Sequence, residues 1–194
     1  DGMLAIGGTM TLATDEYNDM SQYHILLENP RAGVMQLPAF EPGDTTPQPF
    51  VPLAVESYMG INWNLRTTYD RLVALVDKYR SEGATDKFVK ERISEKIGVD
   101  LPTEILDNLT GRFTWIIGYE KPAKLRGQQH TIAAELKDEE AMKETVKKVM
   151  EKYPDVFEER KFGNVTYHAI LPPRLRDMEP EERPAEPFVA IMDG

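Results

Sequence analysis

The sequence predicts an α+β fold: an antiparallel sheet with helices on one face, built as a ferredoxin-like split βαβ with an added hairpin. Three features predict it. From Leu53 onward, segments alternating with period two and segments with helical periodicity follow in the order strand, helices, strand, strand, helix, strands, which is the split βαβ order. Residues 95–119 read as a helix end, a capped short helix, a glycine break and an apolar strand. Gly163-Asn164 separates two apolar runs as a tight hairpin turn would. In such an order the helices are expected to cover one face of the sheet.

The elements follow along the chain. Residues 3–14 alternate loosely, with Leu4, Ile6, Met10 and Leu12 on one parity, and Gly7-Gly8 marks a bulge or bend. A polar turn at 14–19 leads to a second strand at 22–28, which Asn29-Pro30 ends, and 33–37 reads as a third short strand. Pro38, Pro42, Pro47, Pro49 and Pro52 then remove backbone donors and fix φ, so this stretch is neither helix nor central strand but a linker or surface strap. It divides the chain into 1–37, strands that complete a preceding unit or sheet; 38–52, the strap; and 53–194, the α+β domain.

Within that domain, 53–64 is a strand. Leu65, Tyr69, Leu72, Val76 and Tyr79 line one face of a helix, and Gly83 breaks it. A second helix over 85–97 carries Phe88, Val89, Ile93 and Ile97, and Gly98 ends it. Asp100 caps a short helix with Pro102 in its first turn, Ile105, Leu106 and Leu109 bury it, and Gly111 releases the chain into a strand over 112–119. A charged loop at 120–128 and a strand over 130–136 precede a helix capped by Asp138, whose Met142, Val146, Val149 and Tyr153 share a face and which Pro154 stops. Strands at 156–162 and 165–171, a proline-rich acidic loop at 172–187 and a strand over 188–192 complete the chain.

Composition narrows the function. With 41% hydrophobic and 29% charged residues the chain has the makeup of a folded protein. A net charge of −10 argues against a nucleic-acid partner, which needs clustered Lys and Arg, and against adhesion to an anionic membrane surface. The absence of cysteine removes disulfides, thiol nucleophiles and cysteine zinc sites. No apolar run approaches the roughly 18 residues of a membrane span, and no signal peptide stands in the sequence. The start at Asp1 points to a piece of a longer chain. Asp1-Gly2 ahead of a strand and Asp193-Gly194 after one are hairpin turn signals, as expected of one period of a tandem architecture.

No chemistry is specified strongly. His24, His130 and His168 lie on predicted strands; His130 and His168 could meet across a sheet, with Glu135 or Glu159 joining them at a metal, but no HxH, HxxxH or HExxH spacing supports it. Asp138-Glu139-Glu140 sit at a helix N-terminus, where they favour the dipole; Glu158-Glu159, Glu179 and Glu181-Glu182 read as solvated charges rather than a carboxylate pair across a cleft. Asp15, Asn18 and Asp19 offer oxygen to calcium but lack EF-hand spacing, so a turn is the better reading. Ser57, Ser81 and Ser94 stand in no nucleophile motif, and no Walker loop or GxGxxG is present. Trp63, Trp115, Tyr58 and Tyr119 read as sheet packing, with an exposed aromatic face for a sugar or protein as the functional alternative. No catalytic, cofactor-binding or metal-ligating residue and no cofactor is assigned.

The segment Ile97-Gly98-Val99-Asp100, then 105–112 (Ile-Leu-Asp-Asn-Leu-Thr-Gly-Arg), two strands, and Leu136-Lys137-Asp138-Glu139-Glu140-Ala141 opening a helix resembles a domain-of-unknown-function family of bacterial exported and lipoprotein-like proteins, found in planctomycetes and cyanobacteria. Residues 47–52 ahead of the first strand of the domain resemble it too, so the likeness spans roughly residues 47–170. It implies export and an extracytoplasmic setting, and it brings no activity and no catalytic residues. The reading that results is a non-enzymatic interaction or scaffolding domain of a longer exported bacterial protein, whose partner is another protein or a second copy. The alternatives are a small-ligand-binding module using an open sheet face or a cleft beside the proline-rich loops, and a carboxylate hydrolase, which requires two buried acids facing each other.

Overall fold

The computed structural model describes residues 2–12, 19–119, 127–178 and 187–192. The α+β class holds, with antiparallel pairing throughout. The strands form three small sheets: β1 (Met3–Leu12) with β2 (Asp19–Leu27); β3 (Ser57–Asn62), β4 (Leu109–Tyr119) and β5 (Gln128–Leu136) in that order; and β6 (Phe157–Phe162), β7 (Val165–Ile170) and β8 (Phe188–Val189) in that order. The finer topology differs from the split βαβ expectation. That order keeps a strand between the two strands a helix links, whereas here β3 and β4 are linked by helices and lie side by side, Met59 opposite Trp115. The hairpin β6–β7 pairs with β8 in a sheet of its own. Period-two alternation sets which side chains share a face and leaves the choice of neighbour open.

The helices start where their caps stand. In α1 (Leu65–Tyr79) the Asn64 side chain accepts from the Thr67 N–H at 2.9 Å, and in α4 (Glu139–Lys152) the Asp138 side chain accepts from the Ala141 N–H at 2.9 Å. The expected helix over 85–97 is one helical segment in three parts: α2 (Ala84–Val89), a π-type stretch Lys90–Ser94, and α3 (Glu95–Ile97). The wider turn shifts the phase of the buried face. Val89 and Ser94 are buried, Phe88 is exposed, and the Ser94 hydroxyl accepts from the Leu101 N–H at 3.1 Å. Gly98 ends the segment at φ 87°, and Asp100 caps the next turn, Leu101–Ile105, accepting from Thr103 N–H at 3.0 Å.

Other expectations shift. Residues 33–37 form a 3-10 turn, Gly33–Gln36, rather than a strand; Gly33 sits at φ 56°, and the Arg71 guanidinium holds the Gln36 carbonyl at 2.9 Å. The β1 irregularity falls between Met3 and Ala5, and Gly7-Gly8 stay in register with His24 and Tyr23. The strand expected at 53–64 is confined to β3, and the one at 188–192 to β8. A short helix α5 (Pro173–Arg176) opens the loop expected at 172–187. Asp15, Asn18, Glu179, Glu181, Glu182, most of the charged loop at 120–128, and the turn signals at Asp1 and at 193–194 lie outside the described residues.

The proline-rich strap packs on one face of the β3-β4-β5 sheet. Phe40 bridges Trp63, their rings 5.3 Å apart. Tyr58 donates its hydroxyl to the Thr45 carbonyl at 2.7 Å, Arg112 reaches Asp44 at 3.2 Å and the Thr46 carbonyl at 2.9 Å, and buried Thr114 donates to Gln48 at 3.1 Å. Proline leaves few donors in the strap, so side chains of the sheet supply the bonds. Helix α1 docks at the Leu109 end, where Arg66 pairs with Asp107 at 3.1 Å. Helix α4 docks there too, and its far end holds the 84–97 segment through Lys152 on the Glu95 carbonyl and the Tyr153 hydroxyl on the Lys96 carbonyl.

The buried apolar core of the described residues is small: Ala39, Val89, Val99, Ile116, Met142, Ala169 and Leu171. The α1 face read as core is only partly covered: Leu65, Tyr69 and Val76 are half-buried, while Leu72 is 38% and Tyr79 75% exposed.

Candidate interaction surface

Two apolar surfaces stand open. The first is the β1–β2 hairpin. Directly paired residues of an antiparallel ladder share a face. The register Ile6↔Ile25, Gly8↔Tyr23, Met10↔Ser21 therefore puts Ile6, Met10, Leu12, Tyr23 and Ile25 on one side. Gly7↔His24 and Thr9↔Gln22 put polar groups in the middle of the other, with Ala5↔Leu26 and Thr11↔Met20 at its two ends. This is the alternation of a sheet with one buried and one solvated face. Yet every residue of β1 is exposed, and the apolar side most of all: Tyr23 is 78% and Leu12 70% exposed. Two strands alone are marginal in water, and an apolar face of this kind needs a cover.

The second surface is the side of the β3-β4-β5 sheet opposite the strap. One rung of the register, Met59↔Trp115↔Ile132, crosses all three strands. All three side chains are exposed, Ile132 at 71%. Tyr119 lies on the same side and is exposed as well. Trp115 is held in place by its indole N–H, which donates to His130 Nδ1 at 3.2 Å. Trp115 and Tyr119, read from the sequence as sheet packing or an exposed aromatic face, are thus on the exposed side. Trp63 and Tyr58 are engaged with the strap and with Thr68, to which the Trp63 indole donates at 2.8 Å.

The groups weighed for chemistry do not converge. His24, His130 and His168 are in three different sheets. Glu135 accepts from the Thr110 hydroxyl at 2.7 Å, and Glu159 lies opposite His168 in the β6–β7 ladder. Among the described residues no three His, Asp or Glu side chains come together as metal ligands. No described Asp or Glu is buried, so the facing buried acids a carboxylate hydrolase needs are not formed among them. Ser57 lies at the end of β3, and Ser94 bonds the Leu101 backbone.

There are two shallow hollows, one beside the strap and one between the Gly33–Gln36 turn and α1. One, about 420 Å³, is bordered by Arg31, Phe40, Glu41 and Arg71, but both guanidinium groups donate to backbone carbonyls, Arg31 to Pro38 and Arg71 to Gln36 and Pro38. The other, about 380 Å³, is lined by Val34, Leu75, Val76 and Tyr79 and opens widely to solvent. The strongest electrostatic perturbation of a side chain is structural. Burial and the hydrogen bond to Asp86 at 2.7 Å push the Tyr69 hydroxyl well above the usual phenol range.

Sequence reasoning found the aromatic residues of the open face without deciding which were exposed. It missed the hairpin as a surface, although the Leu4, Ile6, Met10, Leu12 parity was the signal. No family model, curated protein or solved structure matches this chain.

Proposed function

We propose that the chain is a non-enzymatic interaction or scaffolding module of a longer, exported bacterial protein. The observation that carries this is the amphipathic β1–β2 hairpin with its apolar side uncovered. The open Met59–Trp115–Ile132 rung supports it. Exposed apolar faces of this kind mark contact with another polypeptide. The extracytoplasmic setting rests on the likeness of residues 97–141 to exported bacterial proteins.

The test is site-specific photo-crosslinking from position 6 of the hairpin and position 132 of the sheet, with exposed position 147 on α4 as control, in the producing cell and with the purified chain. The expected result is a discrete polypeptide adduct, own or foreign, from positions 6 and 132 and not from 147. Absence of an adduct from both positions overturns the reading.

A further inference from the structure

Resting on that reading, we infer that the partner is a second copy of this chain, and that two copies exchange their β1–β2 hairpins, the apolar side of each docking on the open β3-β4-β5 face of the other. Three observations lead there.

The first is charge. The chain carries 23 basic and 33 acidic residues, a net charge of −10, so self-contact is tolerated only where charge is sparse. The Ser57, Met59, Trp115, Ile117, His130, Ile132 side of the sheet contains no Asp, Glu, Lys or Arg, and the apolar side of the hairpin contains one, Asp19, opposite Leu12 at the turn end of the ladder. A highly charged partner has little to pair with on either.

The second is area. Ile6, Met10, Leu12, Tyr23 and Ile25 are between 59% and 78% exposed, which is roughly 600 Å² of apolar side of the hairpin. Met59, Trp115, Tyr119 and Ile132, between 38% and 71% exposed, add roughly 400 Å². A reciprocal exchange buries both on each copy, roughly 1,000 Å² per copy, against the roughly 800 Å² per partner of a stable standard-size interface. A one-way contact with a foreign chain through the hairpin alone leaves the sheet face bare.

The third is shape. Both surfaces are faces of antiparallel sheets, and sheets pack face to face at about 10 Å with side chains interdigitating. Exchange about a two-fold axis closes the assembly at two copies, because each hairpin and each face is used once.

Sedimentation velocity on the purified chain across roughly 1–100 μM tests this, with three samples beside the parent: Ile6→Lys/Met10→Lys in the hairpin, Ile132→Lys on the sheet, and an equimolar mixture of the two. All three positions are exposed in the single chain, and far-UV circular dichroism checks that each variant keeps its fold. The parent is expected to dimerise. Each variant alone is expected to weaken association at least about 100-fold, and the mixture to associate more tightly than either variant and less tightly than the parent, since one intact hairpin then meets one intact face. A parent that stays monomeric overturns the exchange. So does an Ile132→Lys variant that still dimerises, or a mixture that associates no more tightly than either variant alone. Should a variant lose its fold, hydrogen exchange on the parent decides: dilution must raise uptake in 3–12, 113–119 and 128–132 together, and uptake that ignores concentration overturns the inference. A monomeric parent that yields a foreign adduct from position 132 sinks the exchange alone, whereas no adduct at all sinks the interaction reading with it.

Discussion

Asn108 and Asp138 hold each other through two hydrogen bonds. The Asn108 side-chain amide donates to the Asp138 carbonyl at 2.7 Å, and the Asp138 N–H donates to the Asn108 side-chain oxygen at 2.8 Å. The Lys137 N–H adds a bond to the Asn108 carbonyl at 2.8 Å. Asn108 is buried, ends the turn before β4, and so fixes where α4 begins. The Asp138 carboxylate is meanwhile free to cap that helix. Asn108→Ala removes one partner of each bond and leaves a cavity at a buried position. It is expected to lower stability by about 2–3 kcal/mol, read as a lower urea midpoint with an unchanged slope.

Gly111 sits at φ 101°, and a Cβ built there would lie 3.3 Å from the Trp63 carbonyl. That carbonyl belongs to the strand end that receives the strap, and the Trp63 N–H donates to the Gly111 carbonyl at 2.7 Å. Gly111→Ala combines a left-handed backbone with a close backbone contact. The expected cost is about 2 kcal/mol or more, with a matching fall in thermal midpoint. Gly118→Ala is the control, since a Cβ there meets nothing.

Arg112 ties the strap to the sheet through Asp44 and the Thr46 carbonyl. Arg112→Ala is expected to raise hydrogen exchange at 44–48 while α4 and the β6–β7 hairpin keep their protection. The expected change in global stability is small, because Asp44 is exposed and surface ion pairs contribute little. Exchange rising uniformly through the chain would show that the strap belongs to the cooperative core.

Asp100 and Glu104 close a reciprocal turn: Asp100 caps Thr103, and its own N–H donates to Glu104 at 2.6 Å. The Thr103 hydroxyl and N–H hold the Asp100 carboxyl below its ordinary value of 3.8, and Lys148 and the Asp100 N–H hold Glu104 below 4.5. Carboxylates depressed in the folded state add stability above their unfolded values and lose it as pH falls through the folded ones. Thermal midpoints of the parent are therefore expected to drop as pH falls below about 4.5. Glu104→Gln is expected to be less stable than the parent at neutral pH and to converge on it in acid. A gap that stays constant with pH would assign the loss to packing.

Much of the local structure was legible from residue chemistry. Asp138 and Asp100 cap because a short carboxylate reaches the N–H groups a helix start leaves open, and the chain offers those residues just before apolar periodicity begins. Gly98 and Gly163 break where a positive φ is needed. The α4 face was read correctly in Met142, which is buried.

The tertiary structure decided what alternation and periodicity leave open. The π-type stretch Lys90–Ser94 interrupts the helical period over 84–97, where Ser94 is buried and Phe88, in α2 before it, faces solvent. The strap, reading as a linker by its prolines, took a sheet face because Tyr58, Arg112 and Thr114 supply the hydrogen bonds its backbone needs. The hairpin and the Met59–Trp115–Ile132 rung carry the sequence pattern of buried faces yet stand exposed. A pattern of apolar side chains fixes which side of an element seeks cover, because that depends only on local backbone geometry. What covers it depends on contacts distant in sequence or on another chain, and no local pattern encodes those.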